Sequence, residues 1–266
     1  VRIEPTSPIG IFDSGIGGLT VLAALQQRLP RENFIYFGDT ARVPYGTKSP
    51  ETVVRYSLNI ARYLEGLNIK LLVVACNTAS AHAMDALRAA YPALPIIGVV
   101  EPGAAAAVAG SRGGKIAVLA TEGTVRSGAY QRALRARGGE AVETRACGLF
   151  VPLAEEGWGD DPVAEQVARR YLGDLTADRV DTVILGCTHY PLLKATIARV
   201  LGPRVALIDS AATTAEAVAA ELAARALENP GPGGSRYLLT DGNSRFGEVG
   251  ARFLGASLGD IEIVDL

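Results

Sequence analysis

Short, uninterrupted apolar runs recur along the chain at residues 9–12, 34–37, 71–75, 96–100, 116–120, 183–185 and 205–208, and each gives way to small or polar residues. Between them lie longer stretches, such as residues 20–28, 49–67, 79–90 and 163–172, rich in Ala and Arg, whose apolar positions recur at the spacing of a helix face. A strand covered on both faces has no solvent side to mark with polar residues, so it reads as a continuous apolar run. Alternation of such runs with amphipathic helices predicts an α/β fold with mostly parallel sheets.

The spacing itself repeats. Strands ending at Asp13 and Cys76 stand 63 positions apart, and strands ending at Thr121 and Cys187 stand 66 apart. The stretch LLVVACNT (71–78) is echoed by TVILGCTH (182–189), and each cysteine is followed at crossover distance by another apolar run, 96–100 or 205–208. This pattern predicts two similar, pseudo-symmetric Rossmann-like domains with a site at their interface. One takes residues 1–103 with 208–266 and carries Cys76; the other takes residues 104–207 and carries Cys187, the break falling near Glu101-Pro102-Gly103. A helix over 213–228, the linker NPGPGG (229–234) and a strand over 237–240 are expected to return to the first domain.

Composition narrows the class. Of 266 residues 48% are hydrophobic and 20% charged, which is globular, and the formal charge of −2 leaves no basic excess for general nucleic-acid binding. No run approaches the roughly 18–20 apolar residues of a membrane span, and the start VRIEPTSP lacks the apolar core of a secretory signal, so a cytoplasmic location is expected. Cys76, Cys147 and Cys187, odd in number and widely spaced, suit free thiols better than a disulfide framework.

In open α/β sheets the binding crevice lies beyond the carboxyl ends of the strands. Those ends collect Asp13-Ser14-Gly15, Asp39-Thr40, Cys76-Asn77-Thr78, Thr121 and Cys187-Thr188-His189. Helices following the first, third and fifth would turn backbone N–H groups and a positive dipole end toward anionic groups, thiolates included. The glycines of GIGG (15–18) fit neither nucleotide-binding spacing and read as a tight strand-to-helix turn. Two thiols at equivalent junctions can project into one cleft from opposite sides. A reaction that removes a proton from one face of a carbon and returns it on the other needs such a pair, since a thiol near neutral pH serves as acid and thiolate as base. Cys187 and His189 lie too close, and ligands are too few, for a structural zinc site; no metal is expected. A C-x-x-C redox motif is absent. Pyridoxal chemistry needs a Schiff-base lysine, and of Lys48, Lys70, Lys115 and Lys194 two precede their strands at the wrong edge of the sheet, so a cofactor-free route is expected. Cys147 reads as a packing residue and His82 as an exposed or core-edge polar residue.

The segments IGIFDSGIGGLTVL (9–22), YFGDTARVPYGTKS (36–49), VVACNTASAHA (73–83), GVVEPG (98–103), LATEGTVRSGAY (119–130), FVPLAEEG (150–157) and LGCTHYPLL (185–193) together resemble glutamate racemase. The resemblance implies Cys76 and Cys187 as the acid/base pair, Cys76 acting on D-glutamate and Cys187 on L-glutamate. Asp13, His189 and Glu155 would assist, with Glu156 beside Glu155 leaving that match open. Ser14, Tyr45, Gly46, Asn77, Thr78, Thr121 and Thr188 would join Asp13 and His189 in holding the substrate's charged groups, although the hydroxyl and amide members also suit plain helix capping. It further implies a homodimer and a product, D-glutamate, used in peptidoglycan synthesis. A racemase for aspartate or another amino acid, and a non-catalytic amino-acid-binding module, stand as alternatives.

Overall fold

The structure, a computed structural model, describes residues 3–113, 115–175, 179–242 and 246–266. Its strands are β1 (Ile9–Asp13), β2 (Asn33–Gly38), β3 (Leu71–Val74), β4 (Ile96–Gly98), β5 (Ile116–Ala120), β6 (Ala141–Ala146), β7 (Thr182–Gly186), β8 (Ala206–Asp209), β9 (Gly234–Leu239) and β10 (Ile261–Ile263). They form a six-stranded sheet in the order β10-β9-β2-β1-β3-β4 and a four-stranded sheet in the order β6-β5-β7-β8. Every neighbouring pair is parallel, so all strands of a sheet end at one edge.

The repeat read from the sequence is visible in the strand order, because β2-β1-β3-β4 and β6-β5-β7-β8 follow the same winding. Residues 71–74 and 183–185 are buried without exception, as continuous apolar runs require. The strand at 237–240 is β9, and it does extend the first sheet beside β2.

Helix starts follow their capping residues. Ser49 accepts from the Thr52 N–H ahead of helix Pro50–Glu65, whose first residue is a proline with no N–H to leave unpaired. Asp161 and Asp209 cap Pro162–Leu172 and Ser210–Arg225 through the N–H groups of Val163 and Ala211. Helix Ser210–Arg225 packs on helices Leu19–Arg28 and Val100–Gly110, and Val218 and Leu222 join a core cluster that runs through both sheets.

Four expectations change. Strands β6 and β10 were not foreseen. The helix expected over 79–90 is two, Asn77–His82 and Met84–Ala90, meeting at Ala83. The run 96–100 stops at Gly98, and Glu101-Pro102-Gly103 belongs to helix Val100–Gly110 instead of punctuating the chain. A proline in a first helical turn removes an N–H that has no partner there anyway.

Candidate active site

The carboxyl ends of the strands of both sheets converge on a cavity of about 410 Å³. Ser14, Tyr45, Gly46, Cys76, Asn77 and Thr78 line it from the first sheet, and Thr121, Glu155, Cys187, Thr188 and His189 from the second. Every site residue expected from the sequence is therefore on its wall except Asp13, which is buried behind it. Val43, Pro44, Thr47, Glu122, Gly148, Val151 and Pro152 complete the wall and were not foreseen. All but Glu122, which follows Thr121, flank or sit within the segments PYG (44–46) and FVPLAEEG (150–157), and apart from Glu122 and Thr47 their side chains carry no chemistry that would single them out.

Around Cys76 the surroundings are buried and carry one carboxyl, that of Asp13. Cys76 is 5% exposed and precedes helix Asn77–His82, and its Sγ accepts from the Ala79 N–H at 3.4 Å. Burial, reinforced by the charge of Asp13, pushes its thiol up to about 12, while the Ala79 N–H and the Ser14 side chain pull the other way. Asp13 ends β1; its Oδ2 accepts from the Gly15 N–H at 2.9 Å and its Oδ1 is buried with no partner among the described residues. Burial pushes the Asp13 carboxyl up as well, against the pull of His189 and of the Gly15, Gly18 and Ser14 N–H groups.

Around Cys187 the arrangement is cationic. Cys187 is 6% exposed, and its Sγ lies 3.8 Å from Nδ1 of His189, whose Nε2 lies 3.0 Å from Glu155 Oε1. Burial opposes the charged imidazole, but Cys187 and the Glu155 carboxylate outweigh it, and His189 is pushed up to about 10. Glu155, and not its exposed neighbour Glu156, is the carboxylate that reaches the site. One sulfur thus has a carboxylate beside it and the other an imidazolium.

The remaining wall is held by hydroxyls and loops. Thr78 Oγ1 lies 3.0 Å from Thr121 Oγ1 and 3.2 Å from Thr124 Oγ1, joining the two sides of the cavity. Tyr45 donates to Asp39 Oδ2 at 2.5 Å, and Thr240, just past β9, donates to Asp39 Oδ1 at 2.9 Å, so the end of β9 anchors the 40–47 segment. Thr20 donates to the Thr188 carbonyl at 2.9 Å. Cys147 is fully buried in the core, and His82 is partly buried with Nε2 3.2 Å from the Gly123 carbonyl. Among the described residues no group of three or more His, Cys, Asp or Glu side chains is placed to hold a metal ion, and no helix is long and apolar enough to cross a membrane.

Two parallel α/β sheets meeting at a cavity with a cysteine on each side are the setting of an amino-acid racemase, and the chain belongs to the Asp/Glu/hydantoin racemase family, whose pattern matches residues 17–218. Within that family it is similar to glutamate racemases. The glutamate racemase of Geobacter metallireducens is 55% identical over 98% of each chain. The crystal structure of the Thermus thermophilus glutamate racemase in complex with β-chloro-D-alanine superposes with a TM-score of 0.91 at 49% identity, over 99% of this chain and 98% of that one. That of the Francisella tularensis enzyme in complex with D-glutamate gives 0.92 at 37% identity, over 98% of both.

Proposed function

We propose that the protein racemises glutamate without a cofactor, Cys76 and Cys187 acting as a two-base pair. The observation that carries this reading is the pair of buried sulfurs at equivalent strand ends, in one cavity, each with its own charged assistant.

On this reading the Cα of glutamate sits between the sulfurs, and its ammonium and carboxylates meet Ser14, Asn77, Thr78, Thr121, Thr188, Tyr45 and Gly46. L-Glutamate loses its proton to the Cys187 thiolate, which His189 accompanies as imidazolium held by Glu155. Cys76, kept as a thiol by burial and by Asp13, returns a proton on the opposite face. From D-glutamate the roles reverse, with the Asp13 carboxylate beside Cys76 placed to receive its proton. Burial of both sulfurs makes each of these charges count for more than it would in water. Lys48, Lys70, Lys115 and Lys194 lie off the cavity wall, which supports a route without a Schiff base.

The two halves are read as residues 1–103 with 208–266 and residues 104–207, each supplying one thiol and able to rock to admit substrate. The proposal extends to a cytoplasmic homodimer that binds neither nucleic acid nor membrane and whose D-glutamate serves peptidoglycan synthesis. The deciding experiment follows optical rotation with purified protein and no added cofactor. Either enantiomer of glutamate should decay to zero rotation, with kcat/KM for aspartate far lower. Thermal stabilisation by glutamate with unchanged rotation would make the protein a binding module instead.

A further inference from the structure

A two-base exchange requires the sulfurs to stand at a fixed separation across the substrate, and Tyr130 touches the neighbours of both. Tyr130 is 1% exposed in helix Ala129–Arg135, behind the cavity wall and not on it. Its hydroxyl lies 2.8 Å from Nδ2 of Asn77, the residue that follows Cys76. Its ring lies against Gly186, the residue that precedes Cys187, so closely that a Cβ there would come within 3.0 Å of Cε2.

Asn77 donates through Nδ2 to the Tyr130 oxygen, while Asn77 Oδ1 has no partner among the described residues, so the bond to Tyr130 is what holds the amide. Tyr130 therefore joins the residue after Cys76 to the residue before Cys187, at the end of β7.

We propose that Tyr130 is a positioning residue that sets the separation of the Cys76 and Cys187 sulfurs, its hydroxyl holding Asn77 and its ring bearing on Gly186. The proposal rests on the two-base reading above. Removing the hydroxyl alone leaves the Asn77 amide free to turn and releases the Cys76 side from β7, while the ring still fills its place in the core.

Tyr130→Phe makes that change. Because an error of about 1 Å between reacting groups costs up to about a hundredfold, kcat should fall at least about tenfold in both directions. KM should stay within about threefold, since the groups that bind glutamate are kept. A residue that only filled the core would lower Tm and leave the kcat of the folded protein alone. A second readout needs no turnover: in a Cys147→Ala background, the rate at which dibromobimane bridges Cys76 to Cys187 should change severalfold in Tyr130→Phe. Unchanged kcat together with an unchanged bridging rate overturns the proposal. Wild-type protein that fails to racemise glutamate would overturn the racemase reading instead, and the bridging rates would still decide whether Tyr130 spaces the thiols.

Discussion

A Cβ on Gly17 would lie 2.2 Å from Thr188 Oγ1 and 2.5 Å from the His189 ring, both well inside contact distance, so the second glycine of GIGG is required by the packing of residues some 170 positions away in sequence. Gly17→Ala must push Thr188 and His189 off their places. Overpacking of this kind costs about 1–3 kcal/mol, and the displaced imidazole should lower kcat/KM at least about tenfold; melting curves and rotation assays check the two effects separately. His189 itself supplies a pH prediction. Its imidazole is pushed up to about 10 by Cys187 and Glu155 against burial, so the cation beside Cys187 persists through neutral pH and is lost as pH rises through about 10. Activity should therefore fall on that alkaline limb, with apparent values that belong to the coupled group. Glu155→Gln removes one of the two main causes of the raised value, and the limb should move to lower pH. A kcat/KM profile whose alkaline limb stays in place would remove Glu155 from the assisting role.

Lys70, just ahead of β3, is an element-scale tie at the end of the sheet away from the cavity. Its side chain is fully buried, with Nζ 2.5 Å from Glu32 Oε2 and bonded to the carbonyls of Pro5 and Leu227, while Glu32 Oε1 accepts from the Asn229 N–H at 2.7 Å. One ion pair thus fastens the N-terminal segment and the NPGPGG linker to the first sheet. Lys70→Met leaves a buried carboxylate unpaired and should cost about 3–5 kcal/mol in urea unfolding, and adding Glu32→Leu should recover much of it, because breaking a buried pair costs more than replacing it. Which elements the sequence betrays follows from the same physics of burial. The strands buried on both faces, β1, β3, β5 and β7, stand out as apolar runs. The edge strand β6 reads AVETRA and was missed, because Glu143 and Arg145 are part-exposed and pair with Arg179 and Asp174, so the pattern of a covered strand is absent. β10 has three exposed residues and no pattern at all. The break at Ala83 carries neither Gly nor Pro to announce it. At the cavity, Cys76 and Cys187 were legible through the echo of CNT in CTH and the assisting and hydroxyl-bearing residues through the family resemblance of their segments, whereas Val43, Val151 and Pro152 contribute only shape, and shape has no sequence signature.

At the scale of the whole molecule, the decisive feature is that each half contributes one sulfur, Cys76 after β3 and Cys187 after β7, with the two sides of the cavity joined by Thr78, Thr121 and Thr124. On the two-base reading proposed above, a site built this way gives each enantiomer one base only, the other sulfur standing on the opposite face of Cα. The proton that reaches the product then comes from the second thiol, which has exchanged with solvent beforehand. In D₂O, product collected early should carry deuterium at Cα while unreacted substrate keeps its hydrogen. Mass spectrometry of both enantiomers during the first few per cent of turnover reads this directly. Cys76→Ala and Cys187→Ala should each abolish racemisation, because a lone base can take a proton from one face and finds no acid opposite, and Cys147→Ala should turn over almost normally because that thiol is buried in the core. Near wild-type racemisation by Cys187→Ala, or deuterium entering substrate and product equally from the start, would mean that a single base serves both faces, and the two halves would then have some purpose other than presenting one thiol each.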